Sequence, residues 1–128
     1  MELFELASWL KSVFAPFTEI DGYLFFTGRD QTREQLVERV RSHPTTEEAQ
    51  RWMNIVLLDR FLDHACGDSW ESDDADARAI LATIRGAWEA QIRADFPSAT
   101  FVITDYIDDD AGDFGLRLLS TQRDNTPA

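Results

Sequence analysis

The sequence predicts an α+β protein of about four helices packed on a small, mainly antiparallel sheet of about three strands. Two observations carry this. Up to Pro97 the apolar residues recur mostly at three- and four-residue spacing, and after Pro97 they alternate. An aromatic run between two glycines, Gly22-Tyr-Leu-Phe-Phe-Thr-Gly28, interrupts the helical pattern early and reads as a further strand.

Leu3, Leu6, Leu10, Val13, Phe14 and Phe17 form one helical stripe, which Pro16 should end near Ala15. Residues 23–27 are bounded by glycine and rich in aromatics, so they predict a strand buried on both faces. Asp30 or Thr32 can cap the second helix, and Thr32 with Gln35 has capping-box spacing. Leu36, Val37 and Val40 are its apolar face, and Ser42-His43-Pro44 stops it. Thr45 with Glu48 opens a third helix over residues 46–66, closed by Gly67. Its residues Trp52, Met53, Ile55 to Leu58, Phe61, Leu62 and Ala65 point in nearly every direction, which predicts a central helix.

Ser72 or Asp73 should cap the fourth helix, whose stripe is Ala77, Ile80, Leu81, Ile84, Trp88 and Ile92. Residues 100–107 and 114–121 alternate and flank Asp-Asp-Asp-Ala-Gly-Asp, a hairpin with an acidic tip. Two strands alone are marginal, so the hairpin is expected to recruit the strand at 23–27. The reading is one domain over 1–122 with a frayed tail at 123–128.

The 128 residues carry 24 acids and 12 bases, a formal net charge of −12. The excess is local. Asp68, Glu71, Asp73, Asp74 and Asp76 occupy one stretch without a base, and Asp105, Asp108, Asp109, Asp110 and Asp113 occupy another. The other 110 residues are nearly balanced, with 14 acids and 12 bases. Such a charge repels phosphate backbones, so direct nucleic-acid binding is not expected. The single cysteine, Cys66, excludes an internal disulfide. The N-terminal residues have neither a basic region nor an apolar run of signal length, and no stretch is long enough to span a membrane, so a cytoplasmic location is expected.

Chemical signatures are weak. His64 and Cys66 lie two apart, so on a helix their side chains diverge; a small buried cysteine beside a partly exposed histidine is the preferred reading. His43 reads as a surface turn residue. Asp59 and Asp63 share a helix face and read as part of a structural polar network, with a carboxylate or metal site including a histidine as the alternative. The Asp108 segment departs from the calcium-loop pattern. Its fifth and sixth places are Gly112 and Asp113, and its twelfth is Leu119 rather than Glu. No catalytic residue, metal ligand or cofactor site is assigned.

Trp70 stands among carboxylates and offers two readings. It anchors an interface with an electrostatic rim, or it folds back on the core while the acids cap the next helix. Trp9, Trp52 and Trp88 need only a core explanation. The C-terminal third, with Trp88, Phe96-Pro97, Phe101-Val102 and the hairpin ending in Thr121-Gln122-Arg123, resembles the ending of small acidic bacterial α+β proteins of unknown function. In size and charge the chain is also similar to toxin-immunity proteins and phage inhibitors. Eleven arginines to one lysine suit a bacterial or phage source.

The expected function is therefore a non-catalytic interaction module for a basic protein. Its partner-binding residues would be Asp68, Trp70, Glu71, Asp73, Asp74, Asp76, Asp108, Asp109, Asp110 and Asp113. A homo-oligomeric domain whose acids only solvate it is the first alternative, and a small enzyme or metal-binding protein using Asp59 and Asp63 is the second.

Overall fold

A computed structural model describes residues 2–14, 16–27 and 31–123. Helix α1 (Leu3–Val13) leads into a β1–β2 hairpin, Phe17–Ile20 with Tyr23–Phe26. Helices α2 (Arg33–Arg41) and α3 (Thr46–Met53) follow, then strand β3 (Ile55–Leu57) and helix α4 (Asp59–Cys66). The long helix α5 (Ala75–Asp95) precedes the hairpin of β4 (Phe101–Asp108) and β5 (Asp113–Ser120). The fold is α+β with five α-helices among the described residues, one more than expected. The expected helix end at Ala15, the alternative cap Asp30 and the expected tail apart from Arg123 lie outside the described residues. Arg123 is not frayed, since its amide donates to the Gly22 carbonyl at 2.8 Å and its side chain pairs with Glu19.

The extra helix comes from one break. The helix expected over 46–66 stops at Asn54, and Ile55-Val56-Leu57 is a strand antiparallel to β5. Two of its three residues are β-branched and suit a strand. The strand is not buried, with Ile55 and Val56 half-buried and Leu57 39 % exposed, so pairing with the open edge of β5 rather than enclosure draws it out of the helix. Gly115 makes the pairing close: a Cβ there would lie 2.0 Å from the Val56 carbonyl oxygen.

The strand at residues 23–26 does not join the C-terminal hairpin by backbone pairing. It pairs with β1 in a two-stranded sheet, while the second sheet has the order β3-β5-β4. Phe17, expected on the first helix's stripe, begins β1 instead. The loop between β1 and β2 is Asp21-Gly22, with φ of 52° and 83°. Both residues are left-handed, as a type I′ hairpin turn requires.

Caps fall where short polar side chains can reach the first amides. Thr32 and Gln35 form the reciprocal capping box of α2, and Thr45 accepts from the Glu48 amide. Helix α5 is capped by Asp74, one or two residues beyond the expected Ser72 or Asp73. Its expected stripe is buried at Ala77, Leu81, Ile84, Trp88 and Ile92.

The β1–β2 hairpin is covered on both sides, as the sequence expects of its second strand. Leu24 and Phe17 belong to the larger cluster with Trp88, Leu81 and Leu116. Phe25 and Ile20 belong to a smaller cluster with Leu36, Val40 and Ala49. The Trp88 indole donates to the Val13 carbonyl at 2.9 Å and so ties α5 to the end of α1.

Candidate interaction surface

The two base-free acidic segments meet in space. The Trp70 ring, following the 3-10 turn Gly67–Ser69, lies edge-on to the Phe114 ring with centroids 5.2 Å apart. Phe114 directly follows Asp113, so this contact sets the loop against the base of the acidic hairpin. A second link comes from α5. The Arg78 guanidinium donates to the Ser72 carbonyl at 2.6 Å and to the Asp105 carboxylate at 3.3 Å. Arg85 also pairs with Asp105. One acid of the second segment is thereby neutralised by two cations, and the loop is fastened to β4.

Trp70 thus folds back. It is half-buried against the core, and its indole N–H donates to Asp63 Oδ1 at 2.8 Å. It props the acidic loop rather than standing free as an anchor. Two further acids serve the backbone. Asp74 accepts from the Asp76 amide at 2.8 Å. Asp108 Oδ1 accepts from the amides of Asp110 and Ala111 at 3.1 and 3.2 Å. Gly112, with φ of 75°, completes that turn. Asp68, Glu71, Asp73, Asp76, Asp109 and Asp110 are exposed, and none joins an ion pair among the described residues. Asp113 sits half-buried opposite Asp108 in the ladder.

The other candidates fall apart geometrically. Among the described residues no group of three or more His, Cys, Asp or Glu side chains is placed to hold a metal ion. Asp63 is engaged by Trp70 rather than by an arginine. Cys66 is exposed, not buried, at the last residue of α4 before Gly67. Trp52 is 54 % exposed and belongs to no core. The Arg117 guanidinium lies over its ring at 5.4 Å and over Tyr106 at 4.8 Å. No helix among the described residues is long and apolar enough to cross a membrane.

Sequence reasoning missed one apolar feature. A groove of about 470 Å³ runs between α1, α4 and α5, walled by Trp9, Leu10, Val13, Phe14, Phe61 and Ile80 among others. Its signal was the width of the apolar face of α1, more than one stripe can bury. Comparisons with protein-family models, curated proteins and solved structures give no match.

Proposed function

We propose that this protein is a non-catalytic interaction module that engages a basic protein through one acidic end, built from the loop at 68–76 and the hairpin tip at 105–113. The observation that carries the reading is the junction of the two segments through Trp70–Phe114 and the Arg78 bridge. Two separate acidic loops would act as solvation; two loops fastened side by side present one field to a partner. In its narrower form, the partner is an enzyme acting on nucleic acid, whose basic cleft an immunity or inhibitor protein would block.

The test uses acids that hold no structural contact. Glu71→Gln, Asp73→Asn, Asp109→Asn and Asp110→Asn are combined in one variant. Both forms serve as bait for affinity capture at low and high salt. A basic protein retained by the original chain at low salt should associate with the variant about tenfold more slowly, at unchanged melting temperature. Capture of the same proteins at the same rate by both forms would defeat the proposal.

A further inference from the structure

Helix α1 presents two apolar stripes, and the core covers only one. Leu6, Trp9 and Val13 turn inward, with Trp9 edge-on to Phe61 at 5.8 Å. Leu3, Ala7, Leu10 and Phe14 recur four, three and four residues apart, the spacing of a coiled-coil seam, and all four are exposed. Phe4 stands beside them. Leu3 and Phe4 are 84 % and 80 % exposed, Leu10 and Phe14 48 % and 42 %.

The two ends of this face differ in shape. Leu3 and Phe4 project at the N-terminal end, and the groove opens at the C-terminal end beside Leu10 and Phe14. A two-fold axis across the middle of α1 would place the projecting pair of each copy over the groove of the other. Such self-complementarity is what an isologous contact requires. We propose that this face joins two copies of the chain through an antiparallel α1–α1 contact.

Area and charge both favour a second copy. At about 200 Å² for a fully exposed large side chain, the four large side chains offer roughly 500 Å² per copy. The groove walls other than Leu10 and Phe14 add to that, toward the ~800 Å² per partner of a standard interface. The groove is walled without a single charged residue. Helix α1 carries one acid, Glu5, and one base, Lys11, so it is balanced in charge on a −12 chain. Antiparallel crossing also brings Lys11 of each copy toward the acidic first turn of the other.

This contact is independent of the acidic end and has the opposite salt dependence. Salt screens repulsion between two acidic copies and strengthens the dimer, whereas it weakens a pairing with a basic partner. Sedimentation of the full chain from low to high micromolar concentration tests it. The expected result is a monomer–dimer equilibrium that tightens with salt. Phe4→Glu and Leu10→Glu should each raise the dimer dissociation constant about tenfold or more. Val102→Glu and Trp52→Glu, at exposed apolar positions elsewhere, should leave it unchanged. Hydrogen exchange of the unsubstituted chain gives a second readout, with α1 amides gaining protection as concentration rises. A monomer throughout, a dimer that survives both α1 substitutions, or α1 protection independent of concentration would overturn the proposal.

Discussion

Asp21 does two jobs that a single residue type can combine. Its backbone is left-handed, which Asp and Asn tolerate better than other side chains. Its carboxylate meets Arg41, and Thr46 donates to it at 2.9 Å. The hydrogen bond from Arg41, then that from Thr46, hold the Asp21 carboxyl below the usual carboxylate range. Asp21 raises the Arg41 guanidinium in turn. The folded pKa is depressed, so this contribution to stability is present above the unfolded value of about 3.9 and is lost as pH falls through the folded pKa. Asp21→Asn keeps the turn and removes the charge. It should therefore lower the urea midpoint at neutral pH, and the two proteins should converge on acidification. A gap that stays constant into the acid range would show that the charge contributes nothing.

At the scale of elements, what was legible in the sequence was whatever local chemistry decides. The capping box at Thr32, the side-chain cap at Thr45, the stripe of α5 and the alternation of β4 and β5 are written in spacing alone. The Asp21-Gly22 pair is an equally local hairpin signal, but a first-helix stripe read through to Phe17 leaves β1 out. The break at residue 54 was not legible, because Ile55 to Leu58 suits helix and strand alike and the strand is selected by the distant edge of β5, which Gly115 leaves open to close approach. The acidic loop was legible as composition, but its attachment to the hairpin depends on Trp70, Arg78 and Phe114, which no periodicity brings together. Gly115→Ala tests the β3 argument. The added Cβ meets backbone at Val56 and Leu57 that cannot swing aside, so β3 must shift. The expected cost is about 3 kcal/mol in chemical denaturation. Faster hydrogen exchange at the Leu58 amide, bonded to the Phe114 carbonyl at 2.7 Å, should accompany it. Full stability with an intact Leu58 amide would refute the close approach.

At the scale of the molecule, two sheets are joined by side-chain amides in place of a strand ladder. Strand β3 ends its pairing with β5 at Arg117, and the edge of β5 beyond that point is taken up by α3. The Asn54 carbonyl accepts from the Leu118 amide at 3.1 Å, and Gln50 Oε1 accepts from the Ser120 amide at 3.1 Å. The side chains of the same two residues face β2. Asn54 Nδ2 donates to the Leu24 and Leu118 carbonyls at 2.7 and 3.2 Å, and its Oδ1 accepts from the Phe26 amide at 3.0 Å. Gln50 Nε2 donates to the Leu24 carbonyl at 3.0 Å and to Ser120 Oγ at 2.6 Å. Both residues are 1 % exposed. The hairpin therefore does not recruit the strand expected at 23–27 into its sheet; the two sheets stay separate and are tied by a polar bridge from α3, whose Ala49 packs in the smaller cluster. Such a network stabilises only while every member is satisfied. Asn54→Ala leaves the Phe26 amide without its partner and removes one donor from each of two carbonyls, at a cost of about 3 kcal/mol. Asn54→Asp separates the roles: it can still accept from Phe26 but, once ionised, cannot donate to Leu24 or Leu118. Its destabilisation should therefore grow as pH rises through the carboxyl's own titration, while that of Asn54→Ala stays flat. Unfolding free energies measured across that range decide the matter, and equal pH profiles for the two variants would mean that the donated bonds do not hold the sheets together.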